Sequence, residues 1–282
     1  MTTLASAGHK LLVPDVPGTA GKPLVICFHG SGESCSPTWD ELADLIMTQM
    51  GLRVLLYNRG QLQRPKPEQA TADLRAYLLR EKLSGPYILI AHSYGGAFAR
   101  TFMDHRHRHG GTVPDDIAGA VFVETGQEGG LDPQLEKAQY ARCVLGARPL
   151  SVVRGNSFLE KWEELEAAEH RAKCEVSGGW GGGRMSGASS KEGLRLQREL
   201  LQRADAEDER LKKKQLGLSR NSRYVHVPDA GHNVIRDRPD VVAEELSWVL
   251  NCTLVKREHG NKGRWTSWMG ILRRLSNRLR LR

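Results

Sequence analysis

The sequence predicts an α/β fold in which a mainly parallel sheet is covered by helices on both faces. Short apolar runs rich in strand-forming residues recur along the chain, segments with helical periodicity separate them, and several runs end in glycine-containing loops. This alternation favours parallel strands, because each helix returns the chain to the start of the next strand. The 282 residues and 39% hydrophobic content suit one soluble domain with an insertion or a tail.

The predicted elements follow one another regularly. Residues 24–28 form an apolar run that ends in a His-Gly-Ser-Gly loop, and a helical pattern through 42–50, a strand at 54–57 and a helical pattern through 70–78 come next. Residues 87–91 form a buried strand, 93–96 a tight turn and 97–103 the start of a helix. Further strands are predicted at 118–123, 150–153 and 224–227, and a last helix begins near Pro239. We expect one core domain over residues 1–255.

The pattern changes over residues 156–221, which contain no strand signal. Charged helical segments at 160–171 and 192–216 flank a loop at 177–190 that is dominated by glycine and serine. Helices inserted here lie at the carboxyl edge of the strands, where open α/β sheets keep their sites, so they form a candidate cap or lid. A solvated helical excursion with a disordered loop is the alternative.

The net charge of +8 resides in the C-terminal segment. Residues 256–282 contain nine Lys or Arg and one acid, so the rest of the chain is neutral and a nucleic-acid-binding surface on the domain is not supported. Apolar residues recur in this segment at helical spacing: Trp265, Trp268, Met269, Leu272, Leu275 and Leu279. Such a basic, two-faced helix suits an anionic membrane surface or the groove of a partner protein. Packing against the domain, or disorder, are the alternatives.

Signals for export, membrane insertion and metal binding are weak. No apolar stretch approaches the roughly 20 residues of a membrane span, and the first 20 residues lack a secretory pattern, so we expect a cytoplasmic protein. Five dispersed cysteines give neither a disulfide framework nor a zinc site. His105, His107 and His109 alternate with arginines and point to different helix faces, which disfavours a metal. We expect no cofactor.

The residues around Ser93 form a candidate nucleophile elbow. Ala91-His92-Ser93-Tyr94-Gly95-Gly96 follows an apolar strand and precedes a helix. Such a sharp turn requires small residues two positions before and two positions after the serine, and Ala91 and Gly95 meet that requirement. The alternative is an ordinary serine in a strand-to-helix turn.

The stretches GPYILIAHSYGGAFAR (residues 85–100) and IAGAVFVE (residues 117–124) resemble the α/β-hydrolase superfamily. The resemblance implies that Ser93 is the nucleophile and that the loop carrying His29 and Gly30 helps to bind the oxyanion. It assigns the two oxyanion-hole amides to Ser31 and Tyr94. His29 itself is expected to be structural, because it precedes Ser93 in the chain, whereas the base of the family follows both other members of the triad.

His232 is the base that the resemblance implies. It lies in VHVPDAGHNVIRDR (residues 225–238), where a small-Gly-His loop follows the last strand and precedes a helix, as in family members. A neutral imidazole there can take a proton from a serine and return it to a leaving group. A surface-loop histidine is the alternative.

The resemblance also places Asn58 and Arg59 in a loop after a strand, where a structural role is expected for Arg59.

The acid of the triad is open between two glutamates. Most relatives place an Asp after the strand that corresponds to residues 150–153, but this sequence has Arg154-Gly155-Asn156-Ser157 there and no acid before Glu160. Some branches of the family use an acid at the end of the preceding strand, where this sequence has Glu124. We predict Glu124, with Glu160, another acid or none as alternatives.

Together these residues predict a serine hydrolase that cleaves an ester-like acyl bond of a small molecule through a Ser-acid-His triad and an acyl-enzyme. The resemblance also admits a thioesterase, amidase, acyltransferase or lyase on the same fold. A catalytically silent binding protein is the alternative from a different class. The acyl group is not readable from the sequence.

Overall fold

The computed structural model describes residues 2–6, 9–14, 21–59, 65–104, 117–126, 129–177 and 187–260. Within these residues, eight strands form one sheet in the order β1-β2-β4-β3-β5-β6-β7-β8. The pairs β1–β2 and β2–β4 are antiparallel and all other neighbours are parallel. The strands are β1 Thr2–Ser6, β2 His9–Val13, β3 Leu24–Phe28, β4 Arg53–Tyr57, β5 Tyr87–His92, β6 Ile117–Val123, β7 Gly146–Arg154 and β8 Ser219–His226.

Helices cover both faces of this sheet. The α-helices are α1 Asp40–Leu45, α2 Pro67–Arg80, α3 Gly95–Asp104, α4 Pro133–Arg142, α5 Leu159–Ser177, α6 Gly187–Lys214, α7 Val234–Asp237 and α8 Pro239–Gly260. A π-helical turn, Ile46–Met50, extends α1, and a 3-10 turn, Gln215–Leu218, follows α6.

Alternate residues of the buried strands supply the two hydrophobic cores. In β3, Val25 and Cys27 pack with apolar residues of α1 and α8 on one face. Leu24, Ile26 and Phe28 pack with residues of α2 and α3 on the other face. Successive side chains of a strand point to opposite faces, so a strand that is apolar at every position is buried on both sides. The predicted α/β fold class is therefore confirmed.

Besides the short helix α7, two larger parts of the fold are absent from the sequence-based prediction. The antiparallel hairpin β1–β2 extends the sheet beyond β4, and α4 follows β6. Their signals are weak, because β1 and β2 are only five residues each and α4 is mostly polar. Asp132 nevertheless marks the start of α4, since its carboxylate accepts hydrogen bonds from the amides of Gln134 and Leu135 at 2.7 and 3.1 Å.

The insertion between β7 and β8 forms two helices, α5 and α6, that pack against each other. Leu165 and Leu201 are buried, and the Arg198 guanidinium donates two hydrogen bonds of 2.8 Å to the Glu169 carboxylate. Helix α6 begins at Gly187, inside the segment predicted as a loop, and residues 178–186 lie outside the described residues. Strand β8 begins at Ser219, before the predicted end of the insertion at residue 221.

Helix α8 continues to Gly260, so the predicted boundary at residue 255 falls inside a helix. The rest of the basic segment, residues 261–282, lies outside the described residues, as do His105, His107 and His109. In the part of the chain that the structure describes, no helix is both long and apolar enough to cross a membrane.

Gly95 is required by the close approach of the elbow to β3. A Cβ atom at this position would lie 2.1 Å from the carbonyl oxygen of Phe28 and 2.8 Å from that of His29. Gly95→Ala is therefore expected to lower the free energy of unfolding by about 3 kcal/mol, because rigid backbone must move. Gly193→Ala is the matched control in α6, where a Cβ meets nothing within 4 Å and stability should rise by up to about 1 kcal/mol. Urea unfolding measures both, and equal stability of Gly95→Ala and wild type would contradict the packing argument.

Candidate active site

Ser93 occupies the turn between β5 and α3. Its backbone has φ +49°, in the left-handed region that non-glycine residues seldom adopt. The amide of Ser93 donates to the carbonyl of Val123 at 3.1 Å, and the amide of Gly96 donates to the carbonyl of Ser93 at 2.9 Å. These bonds hold a conformation that costs on the order of 1–3 kcal/mol. The turn presents the hydroxyl at the carboxyl edge of the sheet, where β5 ends.

His232 lies in the loop between β8 and α7. Its Nε2 is 3.0 Å from the Oγ of Ser93, and its Nδ1 is 3.0 Å from Oε2 of Glu124. The imidazole side chain is 46% exposed, so the ring bridges a buried carboxylate and an accessible hydroxyl. In this arrangement, the imidazole and the carboxylate can activate the hydroxyl as a nucleophile.

Glu124 follows β6 directly and also has a left-handed backbone, with φ +53°. Its amide donates to the carbonyl of Val153 at 2.9 Å. Oε1 accepts from the amide of Gly155 at 2.7 Å, and Oε2 accepts a hydrogen bond from the hydroxyl of Ser157. The carboxylate is thus fixed by donors from the end of β7 and turned toward His232.

Several charges and hydrogen bonds keep Glu124 ionised. Burial by itself raises the pKa of this carboxyl group. The hydrogen bond with His232, the positive charge of Lys212 and the hydrogen bond from Ser157 outweigh burial and lower the pKa to about 2. Glu124 is therefore a carboxylate throughout the neutral pH range.

The end of β7, where most relatives are expected to carry the acid, supplies donors to Glu124 instead. Asn156 accepts a hydrogen bond at Oδ1 from the amide of Phe158 at 3.2 Å, just before α5. Glu160 is exposed on α5. Gly155 fits tightly, because a Cβ there would lie 2.3 Å from the carbonyl oxygen of Gly231 in the histidine loop. Sequence reasoning missed Ser157, whose hydroxyl also lies 3.3 Å from Nδ1 of His232.

The two residues predicted to form the oxyanion hole, Ser31 and Tyr94, lie in two different loops. Ser31 follows β3, and Tyr94 precedes α3. Neither amide donates to an acceptor within the described part of the chain, so both are available to an oxygen of a bound substrate. Arg59 secures the first loop: its guanidinium donates to the carbonyl of His29 at 2.6 Å and to that of Gly30. Burial lowers the pKa of Arg59 to about 10, which leaves it charged at neutral pH.

His92, which sequence reasoning also missed, anchors the histidine loop. Its Nε2 is 2.9 Å from the carbonyl oxygen of His232, and in the tautomer protonated at Nε2 this nitrogen donates to that oxygen. The other side of the ring faces the loop that follows β3, since a Cβ at Gly30 would lie 3.1 Å from Nδ1 of His92. Burial lowers the pKa of His92 to about 4, so the ring is neutral in this position.

Three described histidines, His9, His29 and His92, are buried, and burial lowers the pKa of each, which predicts a loss of stability in mild acid. Burial, together with the charge of Arg59 in the case of His29, lowers the pKa values of His29 and His92 to about 3 and about 4. Below the unfolded value of 6.5 the unfolded chain binds more protons, so stability is lost as the pH falls. The loss reaches at most about 1.4 kcal/mol per pH unit for each histidine. Glu124 contributes in the same direction below its unfolded value of 4.5.

Urea unfolding at pH 7, 6 and 5 checks this expectation. His92→Gln should flatten the dependence, whereas His226→Ala, at an exposed position at the end of β8, should leave it unchanged. A wild-type stability that stays constant from pH 7 to pH 5 would contradict the buried, neutral state of these rings.

The chain is similar to several known proteins. The chain is 25% identical over 314 aligned positions to a probable transporter, efuK, of Hormonema carpetanum, and the match covers 90% of this chain and 43% of that protein. The chain thus spans less than half the length of this curated relative. Among solved structures, Est1E from Butyrivibrio proteoclasticus superposes with a TM-score of 0.50 at 12% identity, covering 90% of this chain and 98% of the other. MenH from S. aureus superposes with a TM-score of 0.49 at 16% identity, covering 88% and 100%.

A family model supplies the broader assignment. The model of the alpha/beta hydrolase family matches residues 1–245, which include the elbow, the Glu124 turn and the histidine loop. Its span agrees with the observed sheet, in which the serine turn follows β5 and the histidine loop follows β8. The chain belongs to the alpha/beta hydrolase family.

Proposed function

We propose that this protein is a serine hydrolase that cleaves an ester-like acyl bond through an acyl-enzyme on Ser93. The observation that carries the proposal is the series Ser93, His232 and Glu124, whose two links are each 3.0 Å long. Supporting it, the serine occupies a strained turn before a helix, and the two amides at the neighbouring loop ends have no acceptor among the described residues.

In the first half-reaction, Oγ of Ser93 attacks the acyl carbon while Nε2 of His232 takes the hydroxyl proton. The new bond joins Oγ to the acyl carbon, and the electron pair of the carbonyl moves onto its oxygen. The amides of Ser31 and Tyr94 donate hydrogen bonds to this oxyanion, a contribution of a few kcal/mol when such donors are preorganised. When the intermediate collapses, the bond to the leaving group breaks and the leaving oxygen takes the proton from His232.

In the second half-reaction, water replaces the leaving group. His232 takes a proton from the water molecule as its oxygen bonds to the acyl carbon. The bond to Oγ then breaks, and the proton passes from His232 to Ser93. The acid product leaves and the enzyme regains its starting state.

Glu124 acts through His232 in both halves. Its carboxylate accepts a hydrogen bond from Nδ1 of His232, which leaves Nε2 free to receive the proton from Ser93. The same negative charge stabilises the imidazolium that forms in each transition state. With a pKa of about 2, Glu124 stays ionised when the imidazole is protonated.

A panel of p-nitrophenyl esters of rising acyl chain length, with matched thioesters and anilides, tests the reaction class. We expect turnover of esters that depends on Ser93, with chain-length selectivity that defines the acyl group. Preference for thioesters or anilides would reassign the substrate class on the same mechanism. No turnover of any panel member would favour transfer to another acceptor, lyase chemistry or a silent binding protein.

A further inference from the structure

A buried group of charged side chains lies next to Glu124, and the insertion supplies most of it. Lys212 and Asp208 of α6 each have only 2% of their side-chain surface exposed. A buried lysine is unfavourable unless it is paired, so its partners indicate why it is there. The sequence pattern gave no reason to single out Lys212, which lies in a run of three lysines at the end of α6.

The contacts of Lys212 lead directly to the active site. Its Nζ lies 3.4 Å from Oε2 of Glu124, the same oxygen that contacts His232, and it forms an ion pair with Asp208. Asp208 in turn accepts a 2.8 Å hydrogen bond from Nε of Arg154, at the end of β7. Arg154 also pairs with Asp205 of α6. The inserted helix is therefore linked by charge to the acid of the triad.

A second link holds this arrangement in place. Gln215, just after α6, accepts a hydrogen bond from the hydroxyl of Thr125 and donates one to the carbonyl of Thr125, both at 2.8 Å. Thr125 is the residue next to Glu124. A Cβ at Gly126 would lie 2.6 Å from Nε2 of Gln215, so the Glu124 turn and the end of α6 fit closely.

We propose that Lys212 is a positioning residue for the reaction, which holds the Glu124 carboxylate toward His232 and offsets part of its charge. This inference rests on the proposed function, since it assigns Lys212 a role in the same triad. With this role for Lys212, the insertion contributes a charge that the triad requires, and it is also a candidate cover for the substrate.

The proposal predicts a specific change in pH dependence. The charged or titratable groups that face Glu124 are His232 from the histidine loop, Lys212 from α6 and His92 from the elbow, and Asp208 faces it through Lys212. Removing the positive charge of Lys212 makes it easier for the His232–Glu124 pair to bind a proton. The acidic limb of the pH–rate profile should then move to higher pH.

The experiment measures the second-order rate of labelling by a fluorophosphonate from pH 5 to pH 9, with thermal unfolding of each variant. Lys212→Met is expected to move the acidic limb upward by about one pH unit. Lys212→Arg should keep the limb near that of wild type. Lys213→Met is the matched control, because the side chain of Lys213 is 49% exposed and pairs with Glu209; its profile should superpose on that of wild type.

Asp208→Asn keeps the test decisive if Lys212→Met does not fold. This variant removes the anion that pairs with Lys212, so the positive charge of the lysine is less compensated and stabilises the Glu124 carboxylate more. The acidic limb of the pH–rate profile should then move to lower pH. The proposal would be overturned if the acidic limb of the pH–rate profile stayed in place in the folded variants while the labelling rate fell equally at all pH values. Lys212 would then have only a structural role. A wild-type protein that no fluorophosphonate labels would instead overturn the proposed function.

Discussion

Replacing Ser93 or His232 by alanine is expected to reduce ester hydrolysis by ~10³-fold or more while the fold is retained. Ser93 supplies the atom that bonds to the substrate, and His232, 3.0 Å away, supplies the proton acceptor. Because the two act as a unit, the double variant should lose little more than either single variant. Initial rates on the best ester of the panel measure the loss.

His226→Ala is the control for the histidine, since His226 is exposed at the end of β8, near the same loop. It should hydrolyse the ester at the wild-type rate. Circular dichroism and thermal unfolding establish that each variant is folded. Activity in Ser93→Ala equal to that of wild type would exclude the serine mechanism.

Glu124→Gln is expected to lower kcat by about 10²-fold or more. Glutamine has the same size, and its carbonyl oxygen can still accept the hydrogen bond from the Gly155 amide. Its NH2 group cannot accept from Ser157 or His232, and the side chain carries no charge to stabilise the imidazolium. Its amide can also favour the wrong tautomer of His232. The measurement is kcat at the pH of maximal activity.

Glu160→Gln provides the matched control, because Glu160 is the acid nearest to the usual position in the sequence and is exposed on α5. It should leave kcat unchanged. If Glu160→Gln lost activity and Glu124→Gln retained it, the acid would have to be reassigned and the functional meaning of the 3.0 Å contact between Glu124 and His232 would be lost.

The sequence predicted the central strands and the nucleophile turn well, because their signals are local. The sequence has five consecutive apolar residues at 24–28 and again at 87–91, each followed by a glycine-containing turn, and such short apolar runs favour strands covered on both faces. The turn at Ser93 requires glycine at residue 95, because a Cβ atom there would collide with the carbonyl oxygen of Phe28 in β3.

The remaining features depend on contacts between distant parts of the chain. Ser157 and His92 are ordinary polar residues in the sequence. They matter because Ser157 contacts Glu124 and His92 contacts His232, and these partners follow other strands that end at the same edge of the sheet. The sequence does not indicate a role for Lys212 either, because a run of lysines on a charged helix is usually solvent-exposed. The start of α6 at Gly187 was missed because glycine and serine have low helix propensity.

The serine mechanism is tested most directly by the site at which a fluorophosphonate bonds to the protein. The labelled protein is digested and the modified peptide is identified by mass spectrometry, with Ser93→Ala treated in parallel. We expect one adduct, on Ser93, and no adduct in Ser93→Ala. Labelling of another residue in wild type, or equal labelling of Ser93→Ala, would contradict the serine mechanism.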